Sequence, residues 1–497
     1  MLAAIVLRPL VAGAQPEPQP SLMPSATAAP ELSPTPLPSP TPTPVPAGLI
    51  PANVALTVTG TPVADAAFLE KQIRAALTRE IRPSLRPGAA IRYGTFVPWP
   101  LQPLPAGIIT AVNVNVTIVG NGDGETVNGW TTVALNNDAT APPFAPSFLF
   151  YSDDPEHVQS EGLLFAGTVD AARPARLYYY HDQIGLPRGM DVVLSATAPS
   201  RVHVVYSGSG PDLDVMSVGH AISRDMLTYE PRNEGIVVDL LPGKPFVLRH
   251  SLALQGELVA GVADITVLMG APVRVAVIAS LAGSDPFVYL YGLRLPGDGH
   301  NRHGVFSLTD YGATTLQYVA GGPEVATSYG GRNPTPRNVD PNDPGRDYGD
   351  YGVVHRITFL LSNPTTDQHT VYLYERALGG PVRSTFVVDG NLKELGCIRL
   401  PSARYLIAPY LLPPGSSGAS TLVTMTDGGS NYPLEVGVTE TYPTPVAPQQ
   451  SAPDGCFPKS TPTPSPSASP APAESATPFA SPSPLPSPTP SGNQSPS

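Results

Sequence analysis

Lysine is almost missing: 497 residues hold four, Lys71, Lys244, Lys393 and Lys459, and none lies in a phosphate-binding or nucleophilic motif. The other basic residues are arginines scattered singly, and the net charge is −12. Nucleic-acid binding needs clustered cations against phosphate, so that class is excluded. Gly-x-Ser-x-Gly, Ser-x-x-Lys, His-Glu-x-x-His and a Gly-rich loop ending in Lys-Ser/Thr are all absent, which removes the common hydrolase, metalloprotease and nucleotide-binding readings. No apolar run reaches the length of a membrane-crossing helix. Cysteine is down to Cys397 and Cys456, without redox or metal-motif spacing.

Proline is what abounds, with 64 residues crowded toward the two ends. Residues 15–50 and 443–497 are Pro/Ser/Thr-rich strings with too few apolar side chains to offset chain entropy, so disordered stalks are expected there. Ahead of the first, residues 1–14 read as a signal peptide ending in Ala12-Gly-Ala14, with cleavage before Gln15. The basic n-region is missing and Arg8-Pro9 interrupts the apolar run. No cysteine follows the cleavage point and no apolar segment closes the tail, so neither a lipid anchor nor a membrane span is expected in the mature chain. In an exported chain an even cysteine count suggests a Cys397–Cys456 bridge. Closing a loop of about 60 residues would stabilise the fold by roughly 4 kcal/mol in the chain-entropy account. The other reading is two free thiols in a chain that stays in the cytosol.

The expected fold class is mainly β: a small α+β domain over residues 51–160, then tandem Ig- or fibronectin-like β-sandwiches over 161–283 and 284–442. In the first unit Asn53–Val58 alternates as a strand, and Leu69, Ile73, Ala76, Leu77 and Ile81 fall at helical spacing, with Thr61 as the expected cap. Val112, Val114, Val116 and Ile118 alternate with Asn113, Asn115 and Thr117, which means one buried face and one wet face. The second unit is short strands between Gly/Pro turns, interrupted by a short helix near residues 213–227 packed on an edge.

The third unit repeats the second. Arg356–Leu361, a turn at Pro364 and Val371–Tyr374 match Asp191–Leu194, a turn at Pro199 and Arg201–Tyr206, each read as a strand–turn–strand hairpin. Gly304–Phe306 through Leu316–Tyr318 matches Gly162–Phe165 through Leu177–Tyr179. Gly379-Gly-Pro381 matches Gly208–Pro211, and Gly396–Leu400 matches Gly235–Asp239. Tyr405–Leu412, Thr421–Thr426 and Leu434–Thr439 match Phe246–Leu254, Ile265–Leu268 and Val273–Ile278. The second copy carries an extra Gly/Pro/Asp-rich loop at 320–352.

Four groups of side chains can carry chemistry. Asp340, Asn342, Asp343 and Asp347 place hard oxygen donors around Gly345, as calcium requires; the alternative is a solvated turn. His300 and His303 form a close pair that can ligate a transition metal given a third donor, or simply face water. Tyr178 and Tyr180 share one strand face, fit to stack on a sugar ring or to pack in a core. Glu230 and Glu234 flank Arg232 and can act as an acid–base pair on a glycosidic bond, or belong to an ordinary loop with Arg232 paired to one of them.

These readings converge on an exported, non-enzymatic cell-surface or periplasmic protein with a structural or binding role. One alternative is a carbohydrate-binding or polysaccharide-acting accessory protein using Tyr178, Tyr180, Glu230 and Glu234. The other is calcium-dependent adhesion through Asp340, Asp343 and Asp347. Expected partners are surface polysaccharide or another protein, with calcium as the one possible cofactor.

Overall fold

A computed structural model describes residues 45–122, 124–300, 302–331, 336–398 and 403–445. The expected signal peptide, residues 15–44, residues 446–497 and with them Cys456 lie outside the described residues. Among the described residues no helix is long and apolar enough to cross a membrane.

The first strand, β1 (Asn53–Val58), buries Val54, Leu56 and Val58 on alternate positions. It is followed by β2 (Val63–Ala64) and α1 (Ala66–Ile81), then β3 (Ala90–Val97), β4 (Leu104–Pro105), β5 (Ile109–Val119) and β6 (Val127–Asn137). Asp65, not Thr61, caps α1: its Oδ1 accepts the Ala67 N–H at 2.9 Å, because β2 intervenes after Thr61 and the helix begins only at Ala66. Phe68, Leu69, Ile73, Leu77 and Ile81 then join one core with Val112, Val114, Val116 and Val133.

The first sandwich comprises β7 (Phe148–Ser152), β8 (His157–Val158), β9 (Gly162–Val169), β10 (Ala175–Gln183), β11 (Arg188–Ala196), β12 (Ser200–Asp212), α2 (Val215–Tyr229), β13 (Ile236–Leu240), β14 (Phe246–Ala253), β15 (Leu258–Gly270) and β16 (Val273–Leu281). One sheet runs β7-β10-β15-β12-β13 and the other β14-β11-β16-β9. No break in pairing occurs at 160/161. Strand β1 pairs antiparallel with β13 (Thr57↔Val237) and parallel with β6, so the first sheet continues through β6, β5 and β3. An open β13 edge would leave ladder groups unpaired, and β1 covers it. At the far end β17 (His303–Ser307) pairs with β7, which completes an 11-stranded sheet across all three expected units.

The second sandwich comprises β18 (Thr314–Val319), β19 (Val325–Tyr329), β20 (Val354–Ser362), β21 (His369–Ala377), β22 (Val382–Val388), β23 (Asn391–Ile398), β24 (Tyr405–Leu412), β25 (Ser417–Met425) and β26 (Leu434–Thr439). Its sheets run β18-β20-β25-β22-β23 and β19-β26-β21-β24, the same orders as in the first sandwich. Even the parallel pairing is kept, β7 with β10 and β18 with β20. Phe359, Phe386 and Leu422 from one sheet meet Leu373, Val436 and Val438 from the other in its core.

The tandem repeat is therefore present, but the front half of the expected alignment is displaced, β20 and β21 by one strand, while β18, expected opposite β10, takes the place of β7. By sheet position β20 and β21 correspond to β10 and β11, whereas β23 to β26 correspond to β13 to β16 as expected. The cause is β19, which lies inside the expected insertion 320–352 yet pairs with β26 as β9 pairs with β16. Nor are the two proline-marked segments paired hairpins: β11 and β12, like β20 and β21, belong to opposite sheets, so each turn crosses the sandwich.

α2 packs against β12 and β15 of the first sandwich and against β22 and β25 of the second, so it lies between them rather than on an edge. Beside it Arg176 is fully buried: Nε and Nη2 donate to Asp264 at 2.6 and 2.8 Å, Nη2 to Glu230 at 3.1 Å and Nη1 to the Gly352 carbonyl at 3.1 Å. Removing one partner strands a buried charge. Asp264→Ala is expected to lower the unfolding free energy by about 3–5 kcal/mol in urea titrations, while an Arg176→Met/Asp264→Leu double variant recovers most of that loss.

Candidate functional site

Arg176, Tyr178 and Tyr180 alternate onto one face of β10, and the second sandwich covers that face. Tyr178 is 2% exposed and stacks on Tyr351 at 5.9 Å with the rings 22° apart; Tyr180 is 8% exposed. Tyr351 in turn meets Tyr432 edge-on and donates to the Ser430 carbonyl at 2.7 Å. The place where a sugar ring would stack is filled by protein. Glu230 pairs with Arg176 and Arg356, whereas Glu234 is buried and accepts the Asp65 N–H at 2.7 Å beside the start of α1. The two carboxylates serve separate structural contacts, and the expected Tyr178–Tyr180–Glu230–Glu234 cleft is not formed.

The aspartate loop does not converge either. Asp340 Oδ1 accepts the Asn342 N–H at 2.9 Å, so Asn342 contributes backbone to a local turn. Asp343 Oδ1 accepts the Gly345 N–H at 2.8 Å and lies 2.8 Å from His303 Nε2. Asp347 is buried, accepting from the Tyr311 hydroxyl at 2.6 Å and the Tyr351 N–H at 3.0 Å, and burial holds its carboxyl well above the usual range. Among the described residues no group of three or more His, Cys, Asp or Glu side chains is arranged to hold a metal ion. His300 and His303 also part company: His300 turns to Asp298, and His303 sits between Asp154 and Asp343. Cys397 is disulfide-bonded, and its expected partner Cys456 lies outside the described residues.

A different surface gathers the chemistry. On the wet face of β5 and β6, Asn113 stands opposite Thr132, Asn115 opposite Trp130 and Thr117 opposite Asn128. The small polar side chains are tied to one another: Thr132 Oγ1 donates to Asn113 at 2.8 Å, Asn128 Nδ2 to Thr117 at 2.6 Å, and Asn115 Nδ2 to the Gly129 carbonyl at 3.3 Å. A Cβ at position 94 would come within 2.8 Å of Asn115 Oδ1, so Gly94 leaves that amide room. In the middle stands Trp130, 55% exposed, with α1 and the core on the opposite side of the sheet. The wet asparagines are readable in the sequence from their alternation with valines, whereas Trp130 carries no signal of its own there beyond the strand preference of an aromatic residue. Its direction was encoded: counting back from buried Leu135 and Val133 by twos leaves Trp130 on the outward set.

Two further buried ionisable groups, His220 and Glu375, lie beside and within the second sandwich. His220 of α2 lies 2.8 Å from Asp427 and 3.0 Å from Glu394; burial opposes its charge, but these two hydrogen bonds outweigh burial and hold the imidazole above its ordinary range. Glu375 is fully buried, and burial pushes it from 4.5 up to about 8 against the opposing effect of Ser384. The folded chain keeps the Glu375 proton where the unfolded chain has released it, so stability falls as pH rises from 4.5 to about 8. His220 acts in the same direction, because its paired cation stabilises below the ordinary histidine range and that contribution fades as pH climbs through its raised value. His181, His203 and His355, held by burial at about 4, act the opposite way below the ordinary histidine range, so the Glu375 contribution is read as a difference: Glu375→Gln should raise the urea midpoint relative to the native chain at about pH 8 while changing it little at about pH 5.

No family model and no curated protein matches the chain. Solved structures resemble it only loosely. The M60 catalytic domain with the CBM51-1 and CBM51-2 domains of Clostridium perfringens ZmpB is 8% identical, covering 70% of this chain and 42% of its own, at a TM-score of 0.12. The CBM51-2 and INT domains of the same protein are 9% identical over 69% of this chain and 91% of theirs, at 0.15. The CBM22-1-CBM22-2 tandem of Paenibacillus barcinonensis Xyn10C is 6% identical over 72% of this chain and 85% of its own, at 0.11. This chain spans less than half of the first of these, and TM-scores at this level carry no functional argument.

Proposed function

We propose that this chain is a non-catalytic carbohydrate-binding protein of the cell exterior, with the Trp130 face of β5 and β6 as its binding surface. The observation that carries the reading is the half-exposed indole of Trp130 set among Asn113, Asn115, Thr117, Asn128 and Thr132. An indole offers an apolar plane to the C–H face of a pyranose, and amide and hydroxyl groups offer paired donors and acceptors to its hydroxyls. Because the strands are rigid and the side chains already bonded, little ordering entropy is lost on binding. Neither β5 nor β6 carries an Asp or Glu, while glycoside hydrolysis ordinarily needs two carboxylates, which favours binding over cleavage. The disulfide at Cys397 fits an oxidising compartment.

Co-sedimentation of the full chain with cellulose, chitin and peptidoglycan tests this. Retention on at least one polymer is expected, with Trp130→Ala weakening it about tenfold or more and circular dichroism unchanged. Undiminished retention of the Trp130→Ala variant, or no retention of the native chain on any glycan, would overturn the reading.

A further inference from the structure

We propose that His157 and His300 form a binding site for a borderline divalent transition metal such as Zn²⁺ or Ni²⁺, independent of the Trp130 face. The two imidazoles come from opposite ends of the first sandwich in sequence and meet edge-to-face, with ring centroids 6.5 Å apart at 88°. Both are about half exposed, at 46% and 49% of the side chain.

Each ring has one nitrogen held by a carboxylate. His300 Nδ1 lies 2.8 Å from Asp298 Oδ1, and His157 Nδ1 lies 3.4 Å from Asp182 Oδ2. That contact orients the imidazole, fixes the proton on Nδ1 and leaves the Nε2 lone pair for a ligand, the arrangement that supports histidine ligands in metal sites. The backbone builds it in. β8 pairs with β10 at His157↔Asp182, which seats the carboxylate beside the ring. Asp298 then binds the two loops together: its Oδ2 accepts the N–H groups of Glu156 and His157 at 2.8 and 3.3 Å, and its own N–H donates to Asp154 at 2.7 Å. The nearby Arg302 cation is engaged by Glu156 at 2.7 Å and faces Asp153 at 3.7 Å, which offsets its charge.

Metal–nitrogen bonds of about 2.0–2.1 Å require the two rings to draw together and to turn both Nε2 edges to one point, a rotation open to half-exposed side chains. Because no third His, Cys, Asp or Glu among the described residues converges with them, water completes the coordination shell. Nitrogen ligands select zinc and nickel over calcium, which takes oxygen. The ion would link residues 153–158 to the loop at 298–300, so it should stabilise the fold by mass action.

Calorimetric titration of the full chain with ZnCl₂, NiCl₂ and CaCl₂ tests the site, paired with thermal unfolding with and without zinc. Zinc and nickel are expected to bind at a single site and raise Tm, with calcium silent. His157→Ala and His300→Ala should each lose at least about tenfold in affinity and the Tm gain, and Asp182→Asn should weaken binding about tenfold. Zinc binding that survives in the His157→Ala/His300→Ala variant, or no binding by the native chain, would overturn the proposal. A His369→Ala control, at an imidazole paired with Glu440 far along the chain, should leave the titration unchanged.

Discussion

A guanidinium withdrawn from water sets how the two sandwiches meet. Arg176 is tolerable in the interior only with its donors taken up, and its acceptors come from three places: Asp264 on β15, Glu230 just after α2, and the Gly352 carbonyl ahead of β20. The charge is therefore satisfied only when the first sandwich, the helix and the second sandwich are assembled together. The Tyr178–Tyr351 stack adds apolar area beside it, and the same core continues through Val353 and Met425 of the second sandwich. Polar fit gives the contact its register, and burial gives it strength.

That assembly consumes the aromatic face that looked most like a binding platform and leaves a different one in water. The sheet does not end at β13, because β1 pairs with it and carries the ladder on through β6, β5 and β3. α1 covers one side of this extension, and the Asn/Thr side remains wet. The platform is thus held by the hydrogen-bonded frame of the first sandwich, although its strands precede that sandwich in the chain.

Strand content, the repeat, both helices and the wet face of β5 were legible because each rests on local periodicity. The slip in the repeat came from β19: Val325-Ala-Thr-Ser-Tyr329 buries only Tyr329, too little apolar pattern to stand out in a Gly/Pro-rich stretch. The fate of Tyr178, Tyr180 and Glu230 was not legible, because alternation assigns a face without saying what will cover it. The aspartates of 340–347 were misleading for a related reason. Spacing of oxygen donors is local, and so is the turn that claims Asp340, whereas the histidine and tyrosine contacts that hold Asp343 and Asp347 are decided by long-range packing.

Trp130 has an ordinary rival explanation, since aromatic residues favour strands and a tryptophan can serve as a pleated-sheet stabiliser. Stabilisation of that kind works through cross-strand packing with aromatic or β-branched partners. Directly opposite Trp130 is Asn115, and of the diagonal positions Asn113 and Thr117 only Thr117 is β-branched, its hydroxyl taken by Asn128. The core beneath is already filled by Val133, Leu135, Val114 and Val116. An indole with no aromatic partner across the strand and amides held at its rim adds little to the sheet and much to its outer surface. That imbalance supports reading the face as one built to meet an amphipathic ring, flat and apolar on its C–H side and hydroxylated at its edge.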